Sequence, residues 1–217
     1  MDMNAIYRNA DYHTIETVLL VSCLALVAYA KISNEARFRR FLEAFVSDKY
    51  LKLYGKEQDP NLNRFNIPLF LVQIIIFGML LWLAGAYLGL VSLHINLLLI
   101  IAALGLFIMF KFYLEKIIAT IFDLNSFLEK YNFYKLTYRS LIAIILTPLI
   151  ALLVYNPIHE KIVISATISL FLLLNIIAWG RILRKHQKFL TGKLFYFILY
   201  LCALEIAPYL IVVKMVF

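Results

Sequence analysis

The sequence has little of what soluble catalysis and disulfide scaffolds need. Its two cysteines, Cys23 and Cys202, both fall inside apolar runs, which excludes a disulfide framework and a cysteine-based zinc site. No G-x-S-x-G, H-E-x-x-H, Walker A or dinucleotide fingerprint occurs, so the motifs of hydrolases, zinc proteases and nucleotide enzymes are missing. Charged residues make up only 16% of the chain. Polar groups inside the apolar runs are scarcer still: Glu205, Gln73, Asn175 and some hydroxyls. A membrane enzyme needs several convergent polar groups, and the expectation is therefore no enzymatic activity, no cofactor and no metal.

What remains is apolar. The 217 residues are 64% hydrophobic and have a mean hydropathy of +0.86, far beyond the apolar share of a soluble domain. An all-α integral membrane protein is the class that accommodates this. The net charge of +8 does not call for nucleic acid, because the basic residues lie between the apolar runs, as the positive-inside rule describes.

Six spans are expected, at about 14–30, 67–90, 93–110, 138–155, 160–183 and 194–217, in a single membrane domain. The connectors after the first, third and fifth spans hold eighteen of the twenty-one Lys and Arg (eight, five and five), and the other side holds Arg8, Lys161 and Lys214. That asymmetry places the connectors in the cytoplasm and both termini outside. The first run contains two look-alikes of processing sites, around Cys23 and Ala30. The residues before it include Asp2 and Asp11 against Arg8 alone, so the run reads as a retained span.

Two connectors read as amphipathic cytoplasmic segments, about 34–54 and 112–134. In the first, Phe38, Phe41, Leu42 and Phe45 recur at helical spacing, with Arg37, Arg39, Arg40 and Glu43 elsewhere on the wheel. Ser33 is a plausible cap and Gly55 a plausible stop. The stripe predicts a helix whose aromatic face is covered by lipid headgroups, by the bundle or by a partner, with Arg39 and Arg40 beside it. In the second, Ser126-x-x-Glu129 is a capping box that starts a separate short helix. Gly85-x-x-x-Gly89 permits close helix approach, a weak signal for a homo-oligomer. No internal repeat is visible, which argues against an inverted-repeat transporter.

The last run, LFYFILYLCALEIAPYLIVVKMVF, carries the most informative polar patch. Glu205 lies near its middle, and an ionisable group at that depth faces the bundle interior and has a partner. Pro208 frees a backbone acceptor beside it, and Cys202 and Tyr209 share its face at i−3 and i+4. Glu205 reads either as a hydrogen-bonded lock, to Asn175, Gln73 or the freed carbonyl, or as a proton or ion site. His13, His94 and His159 fall on the outer side without ligand spacing.

The runs FRRFLEAFVSDKYLKLYGK, FYKLTYRSLIAIILTPLIALLVY and FYFILYLCALEIAPYLIVVK resemble a family of uncharacterised polytopic membrane proteins from Bacteroidota, a domain of unknown function. The ending Leu201-Cys202-Ala203-Leu204-Glu205-Ile206-x-Pro208 is its most specific part. The resemblance implies the inner membrane of a two-membrane bacterium and brings no activity with it. The expected role is a non-enzymatic structural or accessory subunit of a cell-envelope complex, partnered by the bilayer and by a membrane protein. The rival role is a small transporter or ion-coupling protein using Glu205.

Overall fold

A computed structural model describes residues 14–45, 47, 49–55, 64–89, 96–121, 125–155 and 160–186. Among them there is no strand. The elements are α1 (Thr14–Ser33), α2 (Glu35–Leu42) with a 3-10 turn at Glu43–Phe45, α3 (Lys49–Tyr54), α4 (Asn66–Tyr87), α5 (Leu97–Ile121), α6 (Asn125–Tyr155) and α7 (Glu160–His186). Five of these helices, α1, α4, α5, α6 and α7, are long and apolar enough to cross a membrane. The expected sixth span, 194–217, lies outside the described residues.

α4 and α6 form the inner pair. α1 and α5 lie against α4, and α7 lies against α6. The seam between them is purely aliphatic over Leu69, Val72, Ile76 and Met79 on one side and Ile142, Leu146 and Ile150 on the other, all closed to solvent. The outer helices turn apolar side chains outward. α6 has 61% of its apolar window buried and α5 only 11%, so α5 is a peripheral helix whose exposed Leu106, Phe107 and Phe110 suit a lipid contact. α1 and α6 run antiparallel: the Tyr155 hydroxyl donates to Thr17 Oγ1 at 2.7 Å at one end, while the chain leaving α1 packs near the start of α6 at the other.

Several boundaries differ from the sequence expectation. α5 runs on to Ile121 instead of ending near Phe110. The capping box at Ser126 starts no separate helix: α6 is continuous from Asn125 through Tyr138 to Tyr155. Nothing between Asn125 and Thr147 can break it, since the stretch has neither Gly nor Pro. Pro148 sits inside the helix, and the Thr147 hydroxyl beside it donates to the Ala143 carbonyl at 2.9 Å. At 1.5 Å per residue a helix of 31 residues is about 46 Å long, enough to reach from one headgroup layer to the other.

The glycines on α4 also divide differently from expectation. Gly89 lies past the helix end at φ +70°, where Leu88 N–H donates to the Ala84 carbonyl and Gly89 N–H to that of Ala86. It is a left-handed terminator, and among the described residues nothing lies within 4 Å of where a Cβ would be, so Gly89 makes no close helix approach within this chain. Close approach happens instead at Gly78. A Cβ there would sit 2.6 Å from Cγ1 and 3.2 Å from Cα of Ile101 on α5. A side chain at Gly78 has to push α5 away, an overpacking cost of about 1–3 kcal/mol.

Candidate functional site

At the end of the bundle where α1 hands over to α2, the chain builds a small folded cap. Asn34, the single residue between the two helices, accepts a hydrogen bond from Arg37 N–H at 2.9 Å through Oδ1, so the cap residue is Asn34 and not Ser33, which still belongs to α1. The expected single helix over 34–54 breaks after Leu42 into the 3-10 turn, and α3 starts again with Ser47 Oγ accepting from Lys49 N–H at 3.4 Å. That break lets α3 fold back onto α2, which puts Tyr50 and Leu51 into the same core as Phe41.

The stripe found by periodicity is covered by the bundle. Phe41 is 1% exposed and meets Phe38, Tyr50 and Phe65 at ring-centroid distances of 6.1, 5.7 and 5.9 Å, the last two edge-on. Phe38 meets Phe65 edge-on at 6.4 Å. Tyr50 stacks on Phe133 of α6 at 5.7 Å and 21°, and Phe45 lies 5.5 Å from Tyr138. Tilted and edge-on ring pairs of this kind each add about 0.5–1.5 kcal/mol beyond their buried area. Leu42 does not belong to this core: it is 47% exposed, together with the exposed Arg39 and Arg40.

Arg37 does belong to it, which the sequence reading missed. Its guanidinium carbon lies 4.4 Å from the Tyr54 ring centroid and 5.2 Å from that of Phe65, and the residue is buried. A desolvated cation–π contact is worth about 2 kcal/mol or more. The signal was present, since Arg37 precedes Phe41 by four residues and Ala44 by seven, on one face of the helical turn. Its charge was read as a solvent mark, while its planar head is suited to stacking.

Further polar groups lie within the bundle. Glu115 on α5, 3% exposed, pairs with Lys135 on α6 at 3.2 Å, and the Lys135 ammonium also lies 5.7 Å from the Tyr131 ring. Gln73 on α4 is 2% exposed, and its Oε1 accepts no hydrogen bond among the described residues. One turn earlier, Ser140 of α6 reaches the Leu69 carbonyl at 3.5 Å, the long limit of such a bond. Asn175 of α7 donates to the Phe171 carbonyl of its own helix at 2.7 Å, so that N–H is used locally. Glu205, Cys202, Pro208 and Tyr209 lie outside the described residues, as do His13, His94 and His159. Among the described residues no three His, Cys, Asp or Glu converge as metal ligands would.

The fold and the cap define an all-helical protein of multi-pass membrane type, with a compact aromatic platform at one end. Over residues 17–216 the chain matches the family described as a domain of unknown function (DUF4271), and it belongs to that family. No curated protein and no solved structure matches the chain.

Proposed function

We propose that this is a non-enzymatic subunit of a cell-envelope complex in the inner membrane of a Bacteroidota-type cell, with a structural or accessory role. In this reading residues 194–217 form the sixth span, both termini lie outside, and the cap faces the cytoplasm. The basic residues support that orientation: eighteen of twenty-one lie in the three connectors on one side. The observation that carries the reading is the exposed edge of the cap. Beside an aromatic core packed on α6, Arg39, Arg40 and Leu42 are exposed as a basic and apolar edge, the make-up of a protein contact.

The test is site-specific photocrosslinking in native membranes. A probe at Leu42 is expected to give one discrete protein adduct, lost in Arg39→Glu/Arg40→Glu. The same probe at Leu106, on the outward face of α5, is expected to label lipid. Absence of any protein adduct at Leu42 in a well-expressed chain refutes the contact edge.

A small transporter or ion-coupling protein is the second reading, and Gln73 is what favours it. Among the described residues its buried amide oxygen has no partner, and an unsatisfied oxygen of this kind costs about 1–3 kcal/mol, a cost that an ion or proton site in the bundle would justify. In that reading Glu205 carries the charge, with Cys202, Tyr209 and Pro208 around it. A Glu205→Gln chain that is abundant and correctly assembled yet inactive in complementation selects the transporter. Full complementation by Glu205→Gln selects the structural role.

A further inference from the structure

Beside the aromatic core, α3 and the first part of α6 leave a groove of about 230 Å³. Leu51, Gly55 and Tyr134 line it together with Lys52 and Lys130. Gly55 is closely packed at its floor. A Cβ there would meet the Leu51 carbonyl oxygen at 2.5 Å and the Phe133 and Tyr134 rings at 3.4 and 3.6 Å. Among the described residues the lining therefore has an apolar floor, a tyrosine ring, two ammonium groups and no carboxylate. Both lysines are exposed, so their charge is available to a ligand.

The depth of the groove follows from α6. Taking Tyr155, an aromatic residue bonded to Thr17 at the start of α1, as the far membrane edge sets the scale. A hydrocarbon layer of about 30 Å takes about 20 residues at 1.5 Å each, which brings the near edge of the layer to the turn containing Lys135 and Tyr138. Tyr134 then lies at the boundary, and Lys130 about 7–12 Å beyond the edge. A lysine side chain is long enough to reach back from there to the phosphate level.

We propose that this groove holds the headgroup of an anionic phospholipid. The phosphate lies between Lys52 and Lys130, the glycerol lies against the lysine stems and the outer edge of Tyr134, and the acyl chains enter the bilayer beside α6. The charge complementarity and the depth select a lipid over a soluble anion, since only a membrane-anchored phosphate is concentrated at this level. The site is separate from the Arg39, Arg40 and Leu42 edge, and stands whether or not that edge binds a protein.

The experiment is native mass spectrometry of the purified full chain, exchanged into micelles containing phosphatidylglycerol, phosphatidylcholine or inorganic phosphate alone. Wild type is expected to retain one phosphatidylglycerol in preference to phosphatidylcholine, and to lose nothing on addition of phosphate. Lys52→Gln/Lys130→Gln is expected to lower that retention about twenty-five-fold, because each basic side chain at an anionic surface counts about five-fold. Arg39→Gln/Arg40→Gln removes the same charge elsewhere on the cap and is expected to leave retention unchanged. Equal losses in the two double variants, or unchanged retention in the lysine variant, overturn the site. Displacement by inorganic phosphate replaces the lipid with a soluble anion and equally defeats the proposal. All four lysine and arginine side chains are exposed, so the size-exclusion profiles of the variants should match wild type and expose any that misfold.

Discussion

Phe41→Ala is expected to open the cap while leaving the membrane-spanning helices in place. The ring is 1% exposed and is the common neighbour of Phe38, Tyr50 and Phe65. Removing a buried phenylalanine costs about 3–5 kcal/mol. α3 has six residues and α2 eight, both too short to be helical without tertiary contacts, so a loss of that size falls on the cap alone. The readout is tryptic cleavage at Arg39, Arg40 and Lys52 in detergent-solubilised protein. If cleavage passes through local opening, about 3 kcal/mol accelerates it roughly a hundred-fold. Leu42→Ala, at the exposed neighbouring position, is the control and should be cleaved as wild type. A Phe41→Ala chain as resistant as wild type means that the rings do not hold the cap together.

Lys135→Met is expected to destabilise the bundle more than any other single charge-to-apolar change near the membrane face. It leaves the Glu115 carboxylate 3% exposed and without the ammonium now 3.2 Å away. Breaking a buried pair from one side costs about 3–5 kcal/mol, because the remaining charge stays desolvated. Replacing both partners with apolar side chains is often neutral or better. Thermal unfolding of the four proteins in the Glu115→Leu, Lys135→Met cycle checks this. The double variant should recover most of the midpoint lost by Lys135→Met. If the two single effects simply add, the contact between α5 and α6 carries no coupling, and the pair is two separately solvated charges.

The long apolar helices among the described residues were legible in the sequence for a direct reason. Apolar length is the property that a bilayer selects, so α1, α4 and α7 are where hydropathy puts them to within a few residues. The places where the reading failed share a cause. Hydropathy changes at the membrane edge, but helix geometry need not, and the sequence reading divided α5 and α6 where polarity rose although no breaker residue stood there. Arg37 was misplaced for a similar reason: charge was equated with exposure, whereas the rings of Tyr54 and Phe65 make a burial site for a guanidinium. The stripe of Phe38, Phe41 and Phe45 showed that a face was buried, but not by what. Phe65 and Phe133, which cover it, lie more than twenty and ninety residues further along. Gln73 was noticeable as a polar residue in an apolar run. That its oxygen lacks a partner among the described residues is a fact of three dimensions only.

The continuity of α6 has a mechanical consequence. One unbroken rod carries Ile142, Leu146 and Ile150 in the hydrocarbon layer and Phe133, Tyr134 and Lys135 at the platform. Helices meet a bilayer thinner than their apolar length by leaning over, and between Phe133 and Thr147 the helix has no Gly or Pro joint to absorb that lean, Pro148 lying nearer its far end. Local thickness of the membrane is therefore transmitted to the angle at which the platform faces the solvent.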